Sequence, residues 1–380
     1  MASNKKALWA GFIGIAFFGI SFLTLGSILP SLRDALGLDL AQAASLAGIL
    51  PLGVLGGSIV FGPWCDRFGY KTPFLTAATL VILGLLGISF FMSMDMLRLC
   101  VLLIGLGGGI LNGGTNAIVA EASDDATRSS NIAILGVFYG IGAICMPLVL
   151  GFFKEIPYTV ILRFAAAGLG LGLVFFAVLR FPAAKVKQGF PMKDALAMLK
   201  SPILLFFSFI LFFQSALEGL CSNWTSTYLQ ESAHYAMEPQ RALFVLTFVV
   251  VGITVCRLFL SVLFLHFSPY KVLWGTFGIM AVGFAFLSVG WSALAATFLI
   301  GLGLGATFPV IIASIGQQFK LLSGSAIGIA MVIALVGNTI LNYVMRFIPI
   351  DRFPLYLLLL LALMIMLYRF TVKKFKLLNN

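Results

Sequence analysis

Apolar runs of about twenty residues, the length that crosses a bilayer as a helix, follow one another along almost the whole chain. The stretches 72–94 and 99–120, for example, contain no charged residue. Hydrophobic residues make up 61% of the 380 residues and charged residues only 10%, whereas a soluble domain has about 25% charged residues. So few charges cannot coat a soluble core of this size, but lipid accepts an apolar exterior. The sequence therefore predicts an all-α integral membrane protein.

Polar and turn-forming residues divide the apolar runs into twelve predicted transmembrane spans. These spans are 7–30, 41–63, 72–94, 99–120, 130–153, 159–179, 202–229, 241–265, 271–289, 292–315, 324–345 and 354–372. The longest polar stretch follows span 6 and contains a candidate amphipathic helix at about 190–200. The predicted domains are therefore a six-helix bundle at 1–179, a cytoplasmic inter-domain loop at 180–201, and a second six-helix bundle at 202–380.

The basic residues carry the predicted topology. A net charge of +11 would suggest nucleic-acid binding in a soluble protein, but here the basic residues lie between apolar segments. Most of them fall on the same side of the membrane as Lys5 and Lys6, which predicts that both termini are cytoplasmic, with a bacterial inner membrane as the expected location. The apolar run that follows Lys6 reaches Leu32 without an evident cleavage site, so we interpret it as a retained first helix. The lipid bilayer is the expected partner, and no nucleic acid is predicted.

Patterns of catalysis and metal binding are missing from the sequence. The five cysteines have no metal-ligand spacing, and there is no phosphate-cradling loop, catalytic Ser/His/Asp pattern or HExxH pattern. We therefore expect no enzyme activity, no metal and no step driven by ATP. A proton gradient, or a sodium gradient, is the expected energy source for any transport, and no other cofactor is predicted.

The two halves of the chain share short sequence repeats. LIGLGGG at 103–109 matches LIGLGLG at 299–305 in six of seven positions, and DRFGYK at 66–71 is echoed by LHFSPYK at 265–271. Parallel six-helix repeats occur in membrane transporters whose substrate site lies near the bilayer midplane. The pattern predicts two pseudo-symmetric six-helix bundles around a central cavity.

The loop between spans 2 and 3 reads GPWCDRFGYKT, at 62–72. It resembles the signature of the major facilitator superfamily between the same helices, G-x-x-x-D-R-x-G-R/Y-K/R, and departs from it at Pro63 and Trp64. The resemblance implies the twelve-helix fold of that superfamily and a latch between the cytoplasmic ends of its bundles. The latch residues would be Gly62, Asp66, Arg67, Gly69, Lys71 and, after span 4, Arg128. The alternative is a solvated turn whose charges only follow the positive-inside rule.

Span 4 ends in polar residues. Asn112 and Asn116 lie four residues apart and so share one helix face. Amides within hydrocarbon are costly unless they pair with another helix, water or a ligand, and their donors and acceptors suit hydroxyl groups. Packing between helices is their alternative role. Glu121, seven residues before Arg128, resembles the acidic member of a structural pair in the superfamily, and proton coupling is its alternative role.

Span 7 carries an acid within the predicted membrane region. A carboxylate such as that of Glu218 is expensive there unless it is paired or hydrated, and it often marks function. Gln214 lies one turn before it, and Asn223 and Trp224 follow. An indole can stack on the C–H face of a sugar ring, although Trp224 could equally belong to an interfacial aromatic belt. We therefore predict Glu218 as the main proton-coupling residue.

Spans 5 and 11 complete the predicted substrate site. Tyr139 lies among small residues of span 5, and Asn338 and Asn342 share a face of span 11. The predicted substrate-binding residues are Asn112, Asn116, Tyr139, Gln214, Glu218, Asn223, Trp224, Asn338 and Asn342.

The pattern N-G-G-T-N-A in span 4 and the pattern E-x-x-x-x-x-W-x-x-x-Y in span 7 are similar to the fucose–galactose–glucose:proton symporter branch of the superfamily. This resemblance implies a monomeric secondary transporter that moves a sugar or similar small polar solute by alternating access, with proton coupling. The fucose permeases of that branch carry a carboxylate in helix 1, but none lies between Lys6 and Arg33 here. Either Glu218 takes over proton binding, or the protein is a uniporter. An exporter of amphipathic drugs or lipids, favoured by the 37 phenylalanines, and a non-transporting membrane sensor are the alternatives.

Overall fold

The computed structural model describes residues 2–38, 40–91, 93–153, 155–179, 181, 197–345 and 347–375, and these are almost entirely helical. The helices are α1 (Ala2–Leu36), α2 (Leu40–Phe68), α3 (Lys71–Phe90), α4 (Met94–Ala122), α5 (Arg128–Phe152), α6 (Tyr158–Val178), α7 (Pro202–Glu231), α8 (Pro239–His266), α9 (Pro269–Ser288), α10 (Ala293–Leu304), α11 (Thr307–Gln318), α12 (Ser323–Met345) and α13 (Phe353–Phe375). Within this described part, twelve segments are long and apolar enough to cross a membrane, and α10 and α11 together form one of them. The predicted all-helical fold with twelve spans is confirmed. Most of the amphipathic helix predicted at about 190–200 lies outside the described residues, although a 3-10 turn is described at Met198–Lys200.

The chain forms two compact units, and each contains a short segment from the other half of the sequence. Unit 1 comprises Met1–Asp125, Leu135–Leu196 and Gly316–Gly328, and unit 2 comprises Ala126–Ile134, Ala197–Ile315 and Ile329–Asn380. The first residues of α12 therefore belong to unit 1, and the first residues of α5 belong to unit 2. Each unit is built around one glycine-rich helix.

In unit 1 the central helix is α4, which packs against α1, α2 and α3. Glycines allow its closest crossings: a Cβ atom added at Gly105 would lie 2.8 Å from the Cα of Gly53 on α2. Helix α3 approaches at Gly84, where an added Cβ would lie 2.7 Å from the carbonyl oxygen of Cys100. Between membrane helices, close van der Waals packing of this kind replaces the hydrophobic driving force. The glycines of the first LIGLG segment are therefore packing residues.

Unit 2 repeats these crossings around α10, which packs against α8 and α9. A Cβ added at Gly301 would lie 2.9 Å from the Cα of Gly252 on α8. At Gly283 of α9, an added Cβ would lie 3.0 Å from the carbonyl oxygen of Ala296. Gly301 occupies the same place in its LIGLG segment as Gly105 does in unit 1, so the repeat in the sequence is a repeat in helix packing.

The span predicted at 292–315 as one helix is interrupted, because α10 ends at Leu304 and α11 begins at Thr307. Pro309 explains the interruption: it has no N–H to donate to the carbonyl of Gly305, four residues before it, and its ring crowds that carbonyl. The side chain of Gln214 on α7 stabilises the break, since its Nε2 atom donates a hydrogen bond to the Leu304 carbonyl oxygen at 2.9 Å.

The outer faces of α5 and α6 expose large apolar side chains. Phe152 is 80% exposed, Leu171 77% and Val178 79%. Leaving such surface in water costs about 25 cal/mol per Å², whereas a bilayer accepts it. These faces suit contact with lipid.

Candidate functional site

In unit 1, the predicted residues Asn112 and Asn116 interact with each other on α4. The Nδ2 atom of Asn116 donates to the main-chain oxygen of Asn112 at 2.8 Å and lies 3.5 Å from its Oδ1 atom. Asn116 is buried, and its Oδ1 atom has no hydrogen-bond partner within the described part of the chain. Asn112 is half-buried, so it is the more accessible amide of this pair, and contact of either residue with a substrate stays a prediction.

The predicted residue Tyr139 on α5 is half-buried and stacks on Phe18 of α1, with ring centroids 5.5 Å apart and an interplanar angle of 27°. Phe18 in turn lies over Gly108 of α4, where an added Cβ would be 3.1 Å from its ring. Gly108 is one helical turn before Asn112 and therefore on the same face of α4. Unit 1 thus brings a tyrosine, a phenylalanine and an amide into one region.

Asp66 lies at the end of α2 and binds the beginning of α12, within unit 1. Its carboxylate accepts hydrogen bonds from the N–H of Gly324 at 3.3 Å, the N–H of Ser325 at 2.8 Å and the hydroxyl of Ser325 at 2.6 Å. The first N–H groups of a helix lack partners inside the helix, and the positive end of its dipole favours a carboxylate. Gly62 permits this approach, since a Cβ added there would lie 2.7 Å from the carbonyl oxygen of Gly324. Asp66 therefore caps a helix that lies far away in the sequence.

The other predicted latch residues occupy the same turn or the start of α5. Gly69 has φ of 72°, a left-handed conformation that glycine adopts readily, so it forms the tight turn before α3. The guanidinium carbon of Arg67 lies 5.3 Å from the centroid of the Phe68 ring. Lys71 is exposed, and Arg128 is buried. The latch role of these residues, and of Gly62 and Asp66, stays a prediction.

Glu121 at the end of α4 accepts a hydrogen bond from the hydroxyl of Tyr70, at 2.7 Å. Tyr70 is buried, and burial together with the neighbouring Glu121 carboxylate raises the pKa of Tyr70 well above its usual value. The phenol therefore stays protonated at neutral pH and keeps a donor directed at the acid. Sequence reasoning missed this residue, although its place between Gly69 and Lys71 in the signature was visible.

In unit 2, three predicted residues form a chain of side-chain amides. Asn223 of α7 donates from Nδ2 to the Oδ1 atom of Asn342 at 3.1 Å, and Asn342 of α12 donates from Nδ2 to the Oδ1 atom of Asn338 at 2.6 Å. Asn223 is exposed, whereas Asn338 and Asn342 are half-buried. We call these three residues the amide chain. Its exposed end lies on a membrane-spanning helix, where an unburied amide needs water or a ligand.

Close packing between α7 and α12 makes the amide chain possible. A Cβ added at Gly219 would collide with the side chain of Asn338, and one added at Gly337 would lie 2.5 Å from the carbonyl oxygen of Phe212. Sequence reasoning missed Gly219. A glycine beside Glu218 shows only that a side chain is missing, and its role in packing becomes clear only when the facing helix is known.

The remaining predicted residues of unit 2 lie on α7 at different depths. Glu218 and Trp224 are half-buried. Gln214 is 1% exposed, with its Nε2 atom on the Leu304 carbonyl. Its Oε1 atom is buried and has no hydrogen-bond partner among the described residues. The structure therefore gives Gln214 a place in the helix contacts of unit 2, and its contact with a substrate stays a prediction.

The helices and this arrangement of polar side chains define a multi-span membrane transporter, and comparison with known proteins gives its family. Residues 11–342 match the family model of the Major Facilitator Superfamily. The chain belongs to the Major Facilitator Superfamily, whose members are transporters and not enzymes. Alternating access is general to this fold.

Individual relatives are similar over most of their length. The glucose/mannose transporter of Bacillus subtilis is 25% identical over 318 residues, which cover 78% of this chain and 77% of that protein. The fucose:proton symporter of E. coli, solved as a variant, has a TM-score of 0.82 at 17% identity and covers 97% of this chain and 99% of that one. A proton:xylose symporter bound to 6-bromo-6-deoxy-D-glucose has a TM-score of 0.76 at 15% identity, covering 98% and 96% of the two chains. The structural likeness shows the fold.

Proposed function

We propose that this transporter moves a sugar or a similar small polyhydroxylated solute and that an inward proton gradient drives it. The amide chain of unit 2 is the observation that carries this proposal. A sugar hydroxyl both donates and accepts hydrogen bonds, and so does a carboxamide. The relatives described above are named as transporters of glucose and mannose, of fucose and of xylose, and this supports the same substrate class.

Glu218 is the proposed proton-binding group. It lies on α7, the same helix that carries Asn223. A charged carboxylate within a membrane span is costly, and binding a proton removes that cost during the transport cycle. Binding and release of a proton at Glu218 would therefore act on the helix that holds the exposed end of the amide chain.

Uptake of radiolabelled hexose into liposomes, with and without an inward proton gradient, tests this function. We expect accumulation with the gradient, and we expect Glu218→Gln to abolish accumulation while sugar exchange persists. Glu231→Gln, at the exposed end of the same helix, is the matched control and should behave as wild type. Uptake that is the same with and without the gradient, and the same in wild type and Glu218→Gln, would instead indicate a uniporter.

The middle of the amide chain gives a second arm of this experiment. Asn342→Leu keeps the branched shape of the side chain but removes its three hydrogen bonds to Asn223 and Asn338, so we expect hexose uptake at low concentration to fall about tenfold. Gln318→Leu, at an exposed position, is the control. Normal uptake in Asn342→Leu would overturn the role of the amide chain, and failure to take up any sugar would overturn the substrate class.

Export of amphipathic compounds is the second candidate, and a cavity in unit 1 favours it. This cavity of about 530 Å³ lies between α1, α5 and α6, within the range of about 300–1,000 Å³ found for ligand pockets. Apolar side chains line it, among them Phe17, Met146, Phe153 and Phe164. Efflux of an amphipathic dye from loaded vesicles would support this candidate over the first if the protein also failed to transport any sugar.

We also propose that both termini are cytoplasmic, in a bacterial inner membrane, and that the protein acts as a monomer. The distribution of Lys and Arg supports the orientation. A fluorescent C-terminal fusion reports a cytoplasmic terminus, and light scattering of the purified protein measures the oligomeric state.

A further inference from the structure

A second cavity in unit 1 combines a positive charge with an apolar wall. It has a volume of about 690 Å³ and lies between the beginning of α1 and the end of α6. It is lined by Lys6, Trp9, Ile13, Phe175, Val178 and Leu179. Six spans lead from the beginning of α1 to the end of α6, so both lie at the same surface of the membrane.

The wall of this cavity is held in place by aromatic packing. Trp9 is 53% exposed, and its ring meets those of Phe12 and Phe138 edge-on at centroid distances of 5.9 Å in both cases. Phe12 and Phe138 stack on each other at 5.0 Å. An indole favours the boundary between hydrocarbon and water, and a preformed wall reduces the entropy lost on binding.

The charge at the rim selects the occupant. Lys6 is exposed, and a lysine near a membrane surface lays its apolar stem along hydrocarbon and holds its ammonium group among the lipid headgroups. The opposite side of the cavity consists of Phe175, Val178 and Leu179 on or directly after α6. An occupant that satisfies both sides has a negative group joined to an apolar chain.

We propose that this cavity binds an anionic phospholipid, with the phosphate at Lys6 and an acyl chain along Ile13 and Val178. Basic pockets between transmembrane helices bind anionic headgroups in this way. The volume accommodates a headgroup and the upper part of one acyl chain. The site is separate from the amide chain of unit 2 and does not depend on the transported solute.

Quenching of Trp9 fluorescence by brominated lipid tests the site. The purified protein is titrated in neutral mixed micelles with brominated phosphatidylglycerol or brominated phosphatidylcholine, and the signal of Trp9→Phe is subtracted. We expect half-maximal quenching at an approximately fivefold lower mole fraction of the anionic lipid, the size of effect of one lysine near a membrane surface. Lys6→Gln should remove this preference.

Lys5→Gln is the matched control, because it removes the same charge from the neighbouring exposed residue, which is not among those that line the cavity. It should retain most of the preference, and unchanged melting temperatures would show that both variants are folded. Equal quenching by the two lipids, or an equal loss in both variants, would overturn the site. Absence of Trp9 quenching by either lipid would overturn it as well, and displacement by inorganic phosphate would show a free-anion site instead.

Discussion

The two copies of the repeated span share their helix packing but differ in their polar chemistry. Gly105 in α4 and Gly301 in α10 make equivalent crossings with α2 and α8. Beyond the crossing, α4 continues as a helix that carries Asn112 and Asn116, whereas the second copy breaks before Thr307. The backbone contacts tolerate no side chain, so both copies keep glycine, while residues outside the contacts are free to serve different purposes.

The loops that echo each other show the same contrast. Tyr70 donates its hydroxyl to the carboxylate of Glu121 at 2.7 Å, and Tyr270 shares a hydrogen bond of 2.7 Å with the hydroxyl of Ser314. Asp66 caps α12, whereas the exposed His266 has its Nδ1 atom 3.3 Å from the carbonyl oxygen of Val262 on its own helix. The helix packing is therefore repeated in the two copies. Among the hydrogen bonds just described, only those of the first copy involve a carboxylate.

The largest expected effect concerns the crossings that the two copies share. Gly105→Ala and Gly301→Ala should each lower the free energy of unfolding by about 3 kcal/mol, because the added methyl group must displace backbone atoms of the facing helix. Unfolding by SDS in mixed micelles, followed by circular dichroism, measures the change. At Gly168 and Gly278 an added Cβ meets nothing within 4 Å, so alanine there should be neutral. A large loss at one crossing and a neutral result at the other would break the equivalence.

Asp66→Asn should cost about 2 kcal/mol, because the charge that receives three hydrogen bonds is lost. His266→Asn, at the echoing position, should change stability by less than about 0.5 kcal/mol, as is usual for exposed residues. Hydrogen exchange of the Gly324 and Ser325 amides should become faster in Asp66→Asn only. Equal and small effects of the two substitutions would show that the cap contributes nothing beyond a neutral contact.

Tyr70→Phe should cost about 1.5 kcal/mol and Tyr270→Phe about 1 kcal/mol, since hydrogen bonds to charged groups are the stronger ones. The pKa of Tyr70 is raised on folding, so its contribution is complete below the unfolded value of about 10. That contribution is lost as the pH rises through the higher folded value. The difference in stability between wild type and Tyr70→Phe should therefore narrow above pH 10 in SDS titrations. A difference that stays constant up to the highest accessible pH would contradict the raised pKa of Tyr70, which comes first from burial and then from the Glu121 carboxylate.

The smallest expected effect concerns the break that distinguishes the second copy. Gln214→Met should cost about 1 kcal/mol, because the Leu304 carbonyl loses its donor, and Gln318→Met at an exposed position should be neutral. Pro309→Ala restores an N–H for the carbonyl of Gly305, so hydrogen exchange at the break should become slower and more similar to that of α4. Unchanged exchange in Pro309→Ala would show that proline is not the cause of the break.

The features predicted correctly from the sequence are those that each segment carries by itself. The twelve spans follow from local apolar runs, and the repeated crossings follow from two copies of LIGLG. The break could have been suspected from Pro309, but proline is tolerated in membrane helices when neighbours satisfy the freed carbonyls, and here that neighbour is Gln214 of a different helix. Sequence periodicity places Gln214 on the face of Glu218 but gives no measure of its depth.

Pairs that are distant in the sequence could not be predicted. Asp66 and Ser325 are 259 residues apart and Asn223 and Asn342 are 119 apart, and one sequence holds no information on which polar residue meets which. For the same reason the asparagines of α12 were recognised as polar members of a shared face, while their order in the amide chain was not.

The amide chain has a direction, and this makes its two ends dependent on each other. Both hydrogen bonds run from Asn223 through Asn342 toward Asn338, so an acceptor oxygen of Asn223 ends the series on one side and the amino group of Asn338 on the other. Hydrogen bonds in series polarise one another. A hydroxyl that donated to Asn223 would therefore make Asn338 a better donor, and we expect a solute that touches both ends to bind cooperatively.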